Sequence, residues 1–401
     1  MNYPSRKLKK LPPYLFGAID ILKKRAYEKK LDVIDLCMGN PDLPTPKDIV
    51  ERLCDTVLNH SRTHRYPQAK GMPKFRKAIL KWFKKRFGVE LDPEEEILAL
   101  IGSKEGIAHF FMSWLEEGEL VLVPSPCYPV HYNGVILAGG EVYTIPLLKE
   151  NNYLPDLSKI PEEVARRAKI LVLNYPNNPT TAVVKDLNFF EEVVRFAKKY
   201  DIIVLHDAAY SEITFDGYVA PSFLQVKGSK DVAVEFHSFS KTFNMAGWRI
   251  GWVCGNRELI KPLEKLKSYL DYGVPTFIQL SGVKALEIED KVIGETLNEY
   301  KRRRDYFYNG LKKLGWEVEL PKATMYLWAK IPEPFSRLGS LQFAELLIDK
   351  TGVACAPGIG FGPYGEGYVR FALVTHYNRF HDALLRIKKF MKEGGKYVKT
   401  S

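Results

Sequence analysis

The chain has 401 residues, 46% of them hydrophobic and 27% charged, which allows two or three domains with large cores and excludes a disordered or low-complexity chain. Its net charge of +11 is spread over mixed-sign stretches such as residues 92–96 and 301–305 with no recognition motif beside it, so no nucleic-acid role is expected. No apolar run approaches the roughly 18 residues of a membrane helix, the start lacks the apolar core of a signal peptide, and the five cysteines form no CxxC pair, which argues against a zinc or disulfide framework and fits a cytoplasmic protein.

In chain order, residues 119–124 and 141–146 read as strands bracketing a helix-length segment. Residues 169–174 are a short apolar run closed by Pro176 and Pro179, the pattern of a buried strand and a loop. Leu187, Phe190, Val193, Val194 and Ala197 recur at helical spacing over 186–199, with Asp186 as the expected N-cap. Residues 202–206 form the next buried strand, ending at Asp207. Residues 232–237 form another, ending in Ser238-Phe-Ser-Lys241, and 249–254 a further one. Repeated strand–helix units of this kind predict an α/β domain with a mostly parallel sheet. Beyond about residue 290 the rhythm changes to a long charged helix (292–314), short strands (326–329 and 368–372) and a final basic helix from Arg379. The expected division is a large domain over 45–290 and a smaller α+β domain from 1–44 and 291–401.

The most specific chemistry lies in Ser238-Phe-Ser-Lys241-Thr-Phe-Asn-Met-Ala-Gly-Trp-Arg249-Ile-Gly251. A lysine follows a strand and two serines, Ser238 and Ser240, with an arginine eight residues on. Hydroxyl donors and a planar guanidinium suit a phosphate dianion. Asp207 ends a predicted parallel strand, the edge at which open α/β sheets bind ligands. Gly102-Ser103-Lys104-Glu105-Gly106 precedes an apolar helix, whose amino end can take an anion. Asn174-Tyr-Pro-Asn-Asn178-Pro179-Thr180 reads as a proline-rich turn. The glycine run at 357–362 lacks the order of a dinucleotide fingerprint. The eight histidines show no ligand spacing, so no metal is expected.

These motifs together, from Leu11-Pro-Pro-Tyr14 to the final helix, resemble the class I and II aminotransferases that use pyridoxal phosphate (PLP). The resemblance implies fold type I, with a seven-stranded sheet between helices and a smaller second domain. Lys241 resembles the Schiff-base lysine. Ser103, Lys104, Ser238, Ser240 and Arg249 resemble the phosphate site, and Tyr66 in His64-Arg-Tyr-Pro67 the tyrosine that reaches the neighbouring subunit's phosphate. Asp207 matches the acid on the pyridine nitrogen, Tyr210 and Asn178 the donors to the phenolic oxygen, and Tyr128 the aromatic stacked on the ring. Gly39, Asn178, Arg370 and Tyr14 match positions around the substrate, with Arg370 gripping the α-carboxylate.

The implied activity is ping-pong transfer of an amino group between an L-amino acid and an oxo acid, in a homodimer with shared sites. Residues 267–273, 300–305 and 315–334 look like bacterial alanine (glutamate–pyruvate) aminotransferases. Residues 64–67, 174–180 and 209–217 look equally like LL-diaminopimelate aminotransferase of lysine biosynthesis, although Val274-Pro-Thr-Phe277 departs from that branch. The first expectation is therefore alanine and glutamate as donors, ahead of LL-diaminopimelate. A PLP-dependent lyase on the same fold is a further alternative.

Overall fold

The computed structural model describes residues 5–12 and 15–397, so Tyr14 lies outside the described residues. Its centre is one seven-stranded sheet. In chain order the strands are β2 (Ile97–Leu100), β3 (Leu120–Ser125), β4 (Glu141–Pro146), β5 (Ala168–Asn174), β6 (Ile203–Asp207), β7 (Ala233–Ser238) and β8 (Gly251–Gly255); β1 (Ile34–Asp35) lies outside it. Their order across the sheet is β2-β8-β7-β6-β5-β3-β4. All but β8 share one direction, and β8 is antiparallel to both β7 and β2. Strands β3 and β5 are near-continuous apolar runs because helices cover both faces, whereas β7 alternates Val234 and Phe236 with the buried Glu235 and His237, which pair with each other, Glu235 also reaching His206.

The reversed direction of β8 shapes the carboxyl edge of the sheet. Strands β5, β6 and β7 end at Asn174, Asp207 and Ser238 on that edge. Because β8 runs the other way, its first residue, Gly251, pairs with Ser238. That returns Arg249 to the same edge. β2 ends there too, with Leu100 opposite Gly251, so the helix Ser103–Trp114 starts beside it.

A second, three-stranded sheet has the order β11-β12-β9, with β9 at Tyr326–Lys330, β11 at Ala356–Pro357 and β12 at Tyr368–Ala372, all antiparallel. β1 pairs in parallel with β10 (Val353–Ala354). The amino-terminal segment thus docks on the carboxyl-terminal elements, with Ile19, Ala26 and Cys37 packed against Trp328, Ile348 and Phe361. The long helix spans Glu289–Lys313 and the last helix Tyr377–Tyr397.

Two local expectations shift. Asp186 is not the N-cap of its helix, which runs over Asn188–Tyr200 with Leu187 in the cap position. Its Oδ1 instead accepts the Asn188 amide at 2.9 Å, a turn one residue earlier. Arg249 was expected to open a strand, but it adopts φ 54°, and the strand begins at Gly251. Gly251 then pairs closely with β7: a Cβ there would sit 2.5 Å from the His237 carbonyl oxygen.

Candidate active site

The carboxyl ends of β5, β6 and β7 converge on a cavity of about 320 Å³, within the size range of small-ligand pockets. Gly39, Ser103, Lys104, Tyr128, Asn178, Asp207, Tyr210, Ser238, Ser240, Lys241, Arg249 and Arg370 all line it. Of the residues singled out in the sequence, Tyr66 stands apart. It is 88% exposed, with its ring against Tyr272.

One wall is built to take an anion. The helix Ser103–Trp114 points its amino end into the cavity, and Gly102 enters it at φ 79°. A Cβ on Gly102 would meet Arg249 Nη2 at 2.5 Å, so only glycine lets the guanidinium approach this turn. Arg249 is fixed by the carbonyls of Ala246 (2.8 Å) and Ile101 (3.4 Å). Ser238 caps the short turn carrying Lys241, its Oγ accepting the Ser240 amide at 3.1 Å. Lys104 Nζ lies 5.9 Å from the centre of the Tyr128 ring. Burial first, and then the nearby Arg249 charge, lower its pKa. A helix amino end, hydroxyls and two cations around one point are suited to a phosphate dianion.

Lys241 faces this wall from the end of β7. Its Nζ donates to the Gly39 carbonyl at 2.6 Å. Burial, followed by the positive charges of Arg370 and Arg249, lowers its pKa to about 8. The amine is thus closer to neutrality than an ordinary lysine, as a nucleophile or proton carrier requires.

Asp207 is buried at the end of β6. His131 Nε2 lies 3.0 Å from its Oδ2, and its Oδ1 accepts the Ala209 amide at 3.2 Å. A buried carboxylate aimed into a cavity suits a cationic ring nitrogen. Asn174 ties the neighbouring loop to this strand: its Nδ2 donates to the Asp207 carbonyl at 2.7 Å, and its Oδ1 accepts the Asn178 amide at 3.0 Å. Asn178 in turn holds Arg370, which is 1% exposed. Arg370 Nη1 donates to Asn178 Oδ1 at 2.6 Å and Nη2 to the Cys37 carbonyl at 2.7 Å. The residues therefore fit PLP, with cradle, lysine, acid and ring-facing tyrosine all on one cavity.

A family model for aminotransferases of class I and II matches residues 31–381. The chain belongs to the class I and II aminotransferases. It is 47% identical to the LL-diaminopimelate aminotransferase of Moorella thermoacetica, over 96% of this chain and 98% of that protein. It is 46% identical to the glutamate-pyruvate aminotransferase AlaC of Escherichia coli, over 97% of this chain and 94% of that protein. Among solved structures, substrate-bound BacF of Bacillus subtilis superposes with a TM-score of 0.92 at 37% identity, covering 98% of both chains. An aspartate aminotransferase mutant of Thermus thermophilus gives 0.90 at 28% identity, covering 97% of this chain and all of that one. The fold class expected from the sequence is borne out, and this aminotransferase belongs to a PLP-dependent family.

The sequence reading gave no role to His131, Asn174 or Tyr326, all of which meet residues of the site. Asn174 stood inside a quoted motif. His131 and Tyr326 carried no local signal, because their partners lie 76 and 116 positions away. Glu105, His109 and Asp271 bring ligand-type atoms within 4.8 Å of one another, but the buried Lys267 ammonium already sits 3.0 Å from both carboxylates. This group is an ion-pair network rather than an open metal site.

Proposed function

We propose that this aminotransferase exchanges amino groups between alanine or glutamate and the corresponding oxo acids, pyruvate and 2-oxoglutarate, in a ping-pong cycle. PLP, when bound, supplies an electron sink that acidifies the substrate α-carbon. In this reading Lys241 holds the cofactor and, once displaced, its neutral amine carries the α-proton. Asp207, supported by His131, keeps the ring nitrogen protonated. Tyr210 and Asn178 donate to the phenolic oxygen, and Tyr128 covers the ring. Ser103, Lys104, Ser238, Ser240 and Arg249 take the phosphate, joined by Tyr66 from a second copy of the chain. Arg370 clamps the substrate carboxylate, with Gly39 and Asn178 beside it. Residues 45–290 would form the cofactor-binding unit, and 1–44 with 291–401 the smaller one.

The supporting observation is the charge inventory of the cavity. Its charged lining residues among those described are Lys104, Asp207, Lys241, Arg249 and Arg370, and each is engaged by cofactor or α-carboxylate in this scheme. No further charged side chain among the described lining residues is left to pair with a distal ammonium group, which favours the small side chain of alanine over that of LL-diaminopimelate. LL-diaminopimelate is the second reading, favoured by the Moorella relative's name.

The test is single-turnover absorbance of the PLP-loaded protein with separate donors and no acceptor. Bleaching of the cofactor's visible band by alanine and glutamate, but not LL-diaminopimelate, is the expected result. Strong bleaching by LL-diaminopimelate selects the second reading. Ammonia release with no donor-driven bleaching overturns both and points to a lyase.

A further inference from the structure

Tyr326 opens β9, and Arg370 sits in the middle of β12. The antiparallel register sets Ala372 opposite Tyr326 and Trp328 opposite Arg370. The pleat therefore places Tyr326 and Arg370 on one face of the sheet as diagonal neighbours. The Arg370 guanidinium lies 4.1 Å from the centre of the Tyr326 ring and 4.6 Å from that of Phe361. At its other end, the Tyr326 hydroxyl is 2.7 Å from the Tyr210 hydroxyl. The same hydroxyl reaches over Gly39, where an added Cβ would stand only 1.9 Å from it. One side chain thus touches Arg370, Tyr210 and the residue whose carbonyl receives the Lys241 amine.

We propose that Tyr326 is a positioning residue for both halves of the site: its ring sets the plane of the Arg370 guanidinium, and its hydroxyl sets the hydrogen bonding of Tyr210. The proposal rests on the roles proposed for Arg370 and Tyr210. The two effects use different parts of the side chain. A ring face attracts a guanidinium and holds a flexible arginine flat. A hydroxyl that accepts a hydrogen bond donates a stronger one onward, so Tyr326 strengthens the Tyr210 donor. Burial keeps the Tyr210 phenol protonated, with its pKa well above the usual tyrosine range. Gly39 carries no side chain because the Tyr326 hydroxyl fills that space.

Tyr326→Phe and Tyr326→Leu separate the effects in the PLP-loaded protein. Two readouts are needed besides turnover. The first is the dissociation constant of α-aminoisobutyrate, an amino acid with no α-proton to lose, read from the cofactor's absorbance. The second is the pH midpoint of the visible band with no donor present. Tyr326→Phe should keep the analogue affinity within about twofold while moving the midpoint upward, because the phenolic oxygen loses part of its donor. Tyr326→Leu should weaken analogue binding about tenfold through loss of the ring contact. Gly39→Ala, which displaces the hydroxyl without removing it, should move the midpoint as Tyr326→Phe does.

Unchanged analogue binding in Tyr326→Leu overturns the arginine half, and an unchanged midpoint in Tyr326→Phe overturns the hydroxyl half. A Tyr326→Phe protein that loses both properties together and melts lower than the parent has a merely structural defect, which also overturns the proposal. Lys241→Ala distinguishes the deeper failure: if that variant still turns over, the reading of the whole site falls, whatever the Tyr326 variants do.

Discussion

At the residue scale the site depends on a few side chains pushed from their ordinary behaviour by burial. Lys241 is the clearest. With its pKa lowered to about 8 from 10.5, its amine becomes largely neutral about 2.5 pH units below the point at which a solvated lysine would. Folding a neutral amine is favoured at high pH, and the unfolded chain binds the extra proton between those two values. Capture of PLP by cofactor-free protein should therefore accelerate as pH rises, with a midpoint near the lowered value. Growth of the visible band after mixing, followed across pH, measures it. A midpoint at the ordinary lysine value would show that the pocket does not desolvate the amine. The residue types were legible in the sequence because Ser-x-Ser-Lys and Asp after a strand are contiguous patterns. The lowered pKa was not, because it comes from burial and from Arg370 and Arg249 brought in by other elements.

At the element scale, helix starts and strand directions decide what the motifs can reach. The long helix Glu289–Lys313 begins against the helix Pro73–Phe87, where Trp82 Nε1 donates to the Glu289 carboxylate and Lys85 pairs with Asp290. Glu289 is pushed up to about 7, first by burial and then by the charge of Glu212, which is itself held by Arg86 at 3.0 Å. A raised carboxyl pKa means that the folded state holds a proton the unfolded chain has released. This contribution is fully present below the ordinary glutamate value and is lost as pH rises through about 7. Glu289→Gln keeps an acceptor for Trp82 and removes the charge. It should stabilise the protein by about 1–2 kcal/mol near pH 8 and leave it unchanged or weaker in acid. Thermal unfolding of both proteins across pH measures this; parallel curves would count against a buried carboxyl that holds its proton. Nothing local marks Glu289, which in sequence resembles any acidic residue in a first helical turn.

At the scale of the whole molecule, Tyr66 is the residue whose proposed role a single chain cannot fulfil. It lies outside the cavity, paired with Tyr272 at 5.4 Å, and Tyr269 nearby in sequence is 82% exposed. Exposed aromatic clusters of this kind commonly mark an interface. If a second copy supplies Tyr66 to each phosphate site, the two kinds of defect should complement. Mixing inactive Lys241→Ala subunits with weakened Tyr66→Ala subunits under dissociating conditions should then restore activity, because one site of each hybrid carries neither change. Activity no greater than that of the separate proteins would show that each site is built from one chain.

The sequence alone determined the class of the fold, most strands of the central sheet, and the residue types of the cavity, because apolar periodicity and short motifs are properties of neighbouring positions. Tertiary structure alone decided the antiparallel course of β8, which returns Arg249 to the carboxyl edge of the sheet. It also decided the contacts of His131 with Asp207, Tyr326 with Tyr210 and Arg370 with Cys37, the last across 333 positions. Strand register and packing bring these groups together, and neither is written in any one segment of the chain.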